Sequence, residues 1–185
     1  MKFLNLNRIG GLLIIIGLGL FAYIFFPAAQ AEVEYTAKKV LTPTPYPLTP
    51  LSLEFGIVIP KIGANAPVIV NVDPYNPLEY QVALTKGIAH AKGTKWFLFA
   101  HSAGNPLEAN RYNAVFYLIN KLMPGDEIDL YVKGQKYNYK ATENKIVEAK
   151  EVQYMTENKD GRTLTLMTCW PPGTTLKRLL VIAKL

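Results

Sequence analysis

The chain has 185 residues, 50% of them hydrophobic and 18% charged, with a formal net charge of +6 and one cysteine. That length holds one domain with a real core plus some extra sequence, and a single cysteine excludes an internal disulfide. From Leu53 to Leu185 there are 16 Lys+Arg against 12 Asp+Glu, with no basic run and no aromatic–basic alternation, so a nucleic-acid partner is not expected.

Lys2 and Arg8 precede an unbroken run, Ile9 to Phe26, in which every residue is hydrophobic or glycine; Pro27 follows. Such a run is enough helix to cross a hydrocarbon layer. Its basic flank is N-terminal and Glu32 and Glu34 lie beyond it, so residues 1–8 are expected in the cytoplasm and the bulk of the chain outside. Ala29-Gln30-Ala31 has the small-x-small form that a signal peptidase accepts. The apolar run nevertheless exceeds the roughly 7–15 residues of a signal-peptide core, which favours a retained single-pass anchor over residues 9–26.

Residues 27–52 form a linker in which Pro43, Pro45, Pro47 and Pro50 stand among threonines. Proline supplies no N–H and fixes φ, so residues 36–52 are expected as an extended, semi-stiff stalk. The domain is expected over residues 53–185. Phe55–Ile59 and Ala66–Val72 are β-branched runs that predict two neighbouring strands. Asp73 to Pro77 reads as a turn and Leu78–Lys86 as a short helix before Gly87. Gly87 to Gly93, which includes His90, reads as loop, and Lys95–Ala100 as a buried strand ending at His101.

Ser102–Asn110 is loop by composition, whereas Val115, Leu118, Ile119 and Leu122 are spaced for a helix over Arg111–Leu122. Glu127–Val132 and Gln135–Ala141 predict a hairpin around Lys133-Gly134, and Lys145–Ala149 a further short strand. Two apolar runs, Leu164–Met167 and Leu179–Ile182, flank a Pro/Gly-rich connection and predict the last hairpin. About eight strands with two short helices predict a mostly β domain, closed into a barrel or a sandwich.

Three chemistry-bearing residues fall at strand ends: His101, Cys169 and, nine positions after the cysteine, Arg178. A thiolate is a strong nucleophile, an imidazole can activate it and later protonate a leaving amine, and a guanidinium can hold a developing oxyanion. That combination is suited to acyl transfer through a thioester. With reference pKa values of about 8.5 and 6.5, an isolated Cys and His would be thiolate and imidazolium together only roughly one per cent of the time at neutral pH. A guanidinium nearby raises that fraction. Taken alone, each has an ordinary reading too: a buried structural cysteine, a rim histidine, a surface arginine beside Lys177. His90 is the other candidate base, with structural hydrogen bonding as its ordinary role.

Thr-Leu-Met-Thr-Cys (165–169), followed by Arg-Leu-Leu-Val (178–181), resembles the signature of the sortases, membrane-anchored cysteine transpeptidases of bacterial envelopes. Leu84 to His90 (Leu-x-x-Gly-x-x-His) and Pro-Gly-Asp-Glu-Ile (124–128) support the resemblance, which covers about Leu53 to Leu185. It implies a closed eight-stranded barrel with Cys169 as nucleophile, His101 as acid/base and Arg178 as oxyanion or substrate-positioning group. It also implies cleavage of a Leu-Pro-x-Thr-Gly-like sorting signal on surface proteins, followed by transfer to an amine of a peptidoglycan precursor or a pilin.

A glycine commonly precedes the family's histidine, where this chain has Ala100. Asp73-Pro74-Tyr75 is similar to the lid motif of pilin-building sortases but lies inside the domain, and is read as a turn. Thr168 and Trp170, beside the thiol, are the candidate substrate contacts; as alternatives, Thr168 is a β-branched strand residue and Trp170 a cap on the core. No cofactor or metal is called for by any Ca²⁺ loop or Cys/His cluster; Glu143, Glu148 and Glu151 gather near a loop edge where some sortases bind Ca²⁺, but spacing alone does not support a site. Two other classes stay open. An L,D-transpeptidase also uses Cys, His and Arg, but in a Ser-x-Gly-Cys-x-Arg context that is absent here. A catalytically silent envelope-binding β domain would keep its binding without the thiol.

Overall fold

The computed structural model describes residues 6–41, 48–102, 115–151, 153–155 and 161–185. Eight strands close into one barrel in the order β1-β2-β3-β4-β7-β8-β6-β5, with β5 pairing back onto β1. Of the barrel and sandwich left open by the strand pattern, the chain forms the barrel. The strands are β1 (Phe55–Ile59), β2 (Ala64–Val72), β3 (Ile88–Ala91), β4 (Phe97–Phe99), β5 (Glu127–Val132), β6 (Gln135–Glu148), β7 (Thr163–Trp170) and β8 (Lys177–Lys184).

Helix α1 (Leu6–Leu41) is 36 residues long and runs through Pro27, so residues 36–41, expected as extended stalk, are helical. Residues 42–47, with three of the stalk prolines, lie outside the described residues. Leu12, Ile14, Ile15, Leu18 and Phe21 on α1 are exposed. Among the described residues no helix is long and apolar enough to cross a membrane; the described side chains are interrupted at positions 24, 25, 27 and 28. Residues 9–26, expected as a transmembrane anchor, are helical within α1, but no membrane-crossing helix is found among the described residues. Farther along α1, Glu32 pairs with Lys121 at 3.2 Å.

The domain takes hold of the chain before residue 53. The Asn65 side chain accepts from Leu51 N (3.0 Å) and donates to Thr49 O (2.7 Å), fastening the end of the linker to β2. Strand alternation then sends Ile57, Ile59, Ala66, Val68, Leu98, Ile128, Leu130, Leu164, Leu166 and Val181 into one buried core. Burying such side chains, each worth about 1.5–3 kcal/mol, is what closes the sheet on itself.

Three corrections follow from the pairing. Ile88–Ala91, read as loop, is β3, set parallel to β2 (Val68↔Ile88) and antiparallel to β4 (His90↔Leu98). The start of β3 lies so close to β2 that a Cβ on Gly87 would collide with the Pro67 carbonyl. The two short strands expected around residues 135–149 are one 14-residue strand, β6, with a register shift between Ala141 and Glu143. A bulge absorbs the change of face that looked like a break. The helix expected over 111–122 is a turn from residue 115 and a 3-10 helix at Ile119–Lys121, which still buries Ile119 and Leu122; residues 111–114 lie outside the described residues. The other expected helix is α2 (Pro77–Leu84), started by Asn76, whose side chain accepts from Glu79 N.

Candidate active site

Cys169 lies directly opposite Arg178 in the antiparallel β7–β8 ladder, and Trp170 opposite Lys177. The hairpin has this register because residues 171–176 turn tightly: Gly173 takes φ +79°, and Thr174 sends both its N–H (3.0 Å) and its hydroxyl (2.8 Å) to Pro171 O. Arg178 Nη1 donates to Thr175 O (3.1 Å) and Lys177 O (3.0 Å), so the guanidinium is braced on its own loop. Lys177 in turn pairs with Glu148 at 3.3 Å, tying the start of β8 to the end of β6.

His101 arrives from the other side of β7. Phe97, Leu98 and Phe99 are all buried and pair in parallel with Thr165, Leu166 and Met167. Past the end of β4, Ala100 N donates to Met167 O (3.1 Å) and Ala100 O accepts from Thr168 Oγ1 (2.9 Å). Continuing that register puts His101 next to Cys169 in the order of the two chains. The three predicted residues thus come from β4, β7 and β8 to one edge of the barrel, each half-buried, with Cys169 a free thiol. Ala100, standing where the family commonly has glycine, is buried and hydrogen-bonded at both its N–H and its carbonyl.

Alternation along β7 separates two faces. Leu164, Leu166 and Thr168 share the buried inner face; Thr165, Met167 and Cys169 share the other, on which Thr165 is buried and Met167 and Cys169 are half-buried. Thr168, expected as a substrate contact, is 3% exposed and its hydroxyl donates to Ala100 O, so its side chain faces the interior. Trp170 is half-buried and packs against the edge of the core, as a cap would. On the same face of β7 as the thiol, two positions back, is Met167, which the sequence reading passed over and whose ladder partner on β4 is the buried Phe99. Tyr80 of α2 covers Phe99 edge-on with ring centroids 6.4 Å apart, and Tyr75 reaches Met155 (Oη to Sδ 3.9 Å). Period-2 spacing from Cys169 back to Met167 was the available signal.

His90 sits away from this edge, opposite Leu98 and so three positions back along β4 from His101. Its Nε2 donates to Lys95 O (3.1 Å), and its ring lies among Phe55 and Trp96, with centroids 5.8 and 6.3 Å away. Burial lowers its pKa, against the opposing pull of the Lys95 and Thr94 backbone. Its buried Nδ1 has no hydrogen-bond partner among the described residues. The hydrogen bond to Lys95 O and the aromatic contacts suit a structural role.

A family model described as the sortase domain matches residues 57–185. The chain belongs to the sortase family. Among curated proteins, this sortase is 26% identical over 129 residues to sortase D of Bacillus subtilis, an alignment covering 68% of this chain and 60% of that protein. It is 27% identical over 129 residues to sortase A of Listeria monocytogenes, covering 70% and 54%. The chain therefore spans a little over half the length of these two relatives. Among solved structures, it is similar to sortase C of Clostridium perfringens with the C-terminal cell wall sorting motif: TM-score 0.56, 27% identity, covering 70% of this chain and 68% of that one. The eight-stranded barrel is thus a sortase fold.

Proposed function

We propose that this sortase is a cysteine transpeptidase that cleaves a Leu-Pro-x-Thr-Gly-like sorting signal and transfers the acyl group to an amine at the cell envelope. The observation that carries the reading is the direct opposition of Cys169 and Arg178 at the barrel edge where the chain after β4 delivers His101. In this scheme Cys169 Sγ, as thiolate, attacks the carbonyl carbon of the signal's threonine. Arg178 stabilises the oxyanion with its free N–H donors. The C–N bond to glycine breaks, His101 gives its proton to the departing amine, and a thioester remains. The acceptor amine then attacks the thioester, its proton passes to His101, and Sγ leaves.

The signal and the acceptor follow from the family resemblance, and the Clostridium relative determined with a cell wall sorting motif supports a peptide of that kind. The acceptor would be a peptidoglycan precursor or a pilin amine. Residues 9–26 would anchor the enzyme: at 1.5 Å per residue a helix over this run is about 27 Å long, close to the thickness of a hydrocarbon core. Its exposed leucines and isoleucines are suited to lipid.

The test uses the full chain in detergent with a panel of sorting-signal peptides and an amine acceptor. A thioester on wild type that Cys169→Ala lacks, and that the amine discharges, is the expected result. Neither thioester nor cleavage across the panel would overturn the reading. Because Cys169 is the one cysteine, a membrane-impermeant maleimide on intact cells also tests the orientation: external labelling is expected, and labelling only after lysis would refute it.

A further inference from the structure

We infer that Thr168 is a positioning residue that holds His101 in register with Cys169, acting through the backbone of Ala100. The inference rests on the proposed roles of Cys169 and His101 and adds what keeps the two together.

Strand β4 has three residues, and its ladder with β7 ends at Phe99↔Met167. His101 is two residues beyond, where regular pairing no longer directs the chain. Two bonds continue the connection: Ala100 N to Met167 O at 3.1 Å, and Thr168 Oγ1 to Ala100 O at 2.9 Å. The second is decisive for His101. The atoms from Ala100 Cα to His101 Cα form one planar peptide unit, so fixing where the Ala100 carbonyl points also fixes the direction in which His101 leaves. Thr168 is well suited to fixing it. Its β-branched side chain has few χ1 states, its residue is 3% exposed, and Ala100 is 6% exposed, which leaves little access for competing water. The bond spans 68 positions of sequence and joins the residue before the proposed base to the residue before the proposed nucleophile.

A hydroxyl that merely satisfied a buried carbonyl would affect stability and nothing else. A positioning hydroxyl must also affect how the thiol senses the imidazole. Thr168→Val keeps the shape and removes the donor; Thr168→Ala also removes the donor but leaves room for water at the carbonyl, so that one of the two stays folded; Thr168→Ser keeps the donor. The full chain in detergent is alkylated with iodoacetamide at its one cysteine, across the pH range spanning the reference values of histidine and cysteine, about 6.5 and 8.5. Wild type is expected to show a rate step that His101→Ala lacks. The Val and Ala variants should lose that step while Ser keeps it. On peptide substrate their kcat should fall about tenfold or more with KM changed less, part of the roughly 10²–10⁴ that a positioned acid or base supplies. A hydroxyl-free variant that keeps the wild-type step and kcat, whatever its melting temperature, overturns the inference and leaves the active-site reading standing. Coincident profiles for wild type and His101→Ala would instead overturn the pairing of His101 with Cys169, and the positioning role with it.

Discussion

Cys169 and Arg178 face each other across adjacent strands, while the arginine's Nη1 is bound to two carbonyls of the connecting loop, Thr175 O and Lys177 O. The brace holds the guanidinium against the loop that joins the two strands, and its remaining donors are those that the proposed mechanism assigns to the oxyanion. Arg178→Lys keeps a positive charge but loses the planar fork that can bond loop and oxyanion together. Its kcat should fall about 10²–10³-fold, the range for removing one oxyanion donor, with the melting temperature unchanged because the residue is half-exposed. Steady-state kinetics and a thermal melt check both halves; a lysine variant with wild-type kcat would show that charge alone suffices.

The two histidines separate in the same assay. His101→Ala should reduce kcat by roughly 10²–10⁴-fold, the contribution of a placed acid/base. His90→Gln, which can still donate an amide N–H to Lys95 O, should leave kcat as it is. Equal losses in both variants would contradict the assignment of His101.

Met167 shares its face with Cys169 and pairs with Phe99, which Tyr80 covers. An apolar floor there would contact the side chains of a bound peptide near the scissile bond. Met167→Ala should raise KM or change which peptide of a signal panel is preferred, with kcat on the best peptide within about threefold, since truncating an apolar contact costs on the order of 1–3 kcal/mol of binding. An unchanged panel profile would remove Met167 from the groove.

Local pattern foretold what local pattern controls. β1 and β5 begin and end where the β-branched runs do, and the Cys169–Arg178 juxtaposition was legible because a tight Pro/Gly loop leaves a hairpin few registers. The arrival of His101 beside Cys169 was not derivable from spacing, since it depends on the parallel β4–β7 pairing between distant segments. β3 escaped because a four-residue strand inside the Gly87–Gly93 stretch carries too little pattern, and β6 looked like two strands because its bulge changes face near Glu143. The direction of the Thr168 hydroxyl, inward to Ala100 rather than outward to substrate, is set by a partner 68 positions away.

Gly87 marks a place where a single methyl group should test the fold. A Cβ there meets the Pro67 carbonyl, and backbone cannot move aside as a flexible side chain would. Gly87→Ala should therefore lower stability by about 1–3 kcal/mol, the usual cost of overpacking, seen as a lower denaturant midpoint at unchanged m-value. A variant as stable as wild type would show that β2 and β3 separate without cost.

The half-buried His90 ring makes stability depend on pH. Desolvation favours its neutral form, so its folded pKa lies below the unfolded value of about 6.5. Between those two values the unfolded chain holds more protons than the folded one, and stability rises with pH. The contribution is complete above about 6.5, is lost progressively as pH falls toward the folded pKa, and levels off below it, where both states are protonated. Denaturant midpoints measured at neutral and mildly acidic pH should fall for wild type and fall less for His90→Gln, whose amide does not titrate. Carboxylates that titrate in the same range act equally in both proteins, so the difference between the two slopes isolates the histidine. Identical slopes would mean that the ring takes up its proton in place, accepted by the Lys95 and Thr94 backbone as readily as by water.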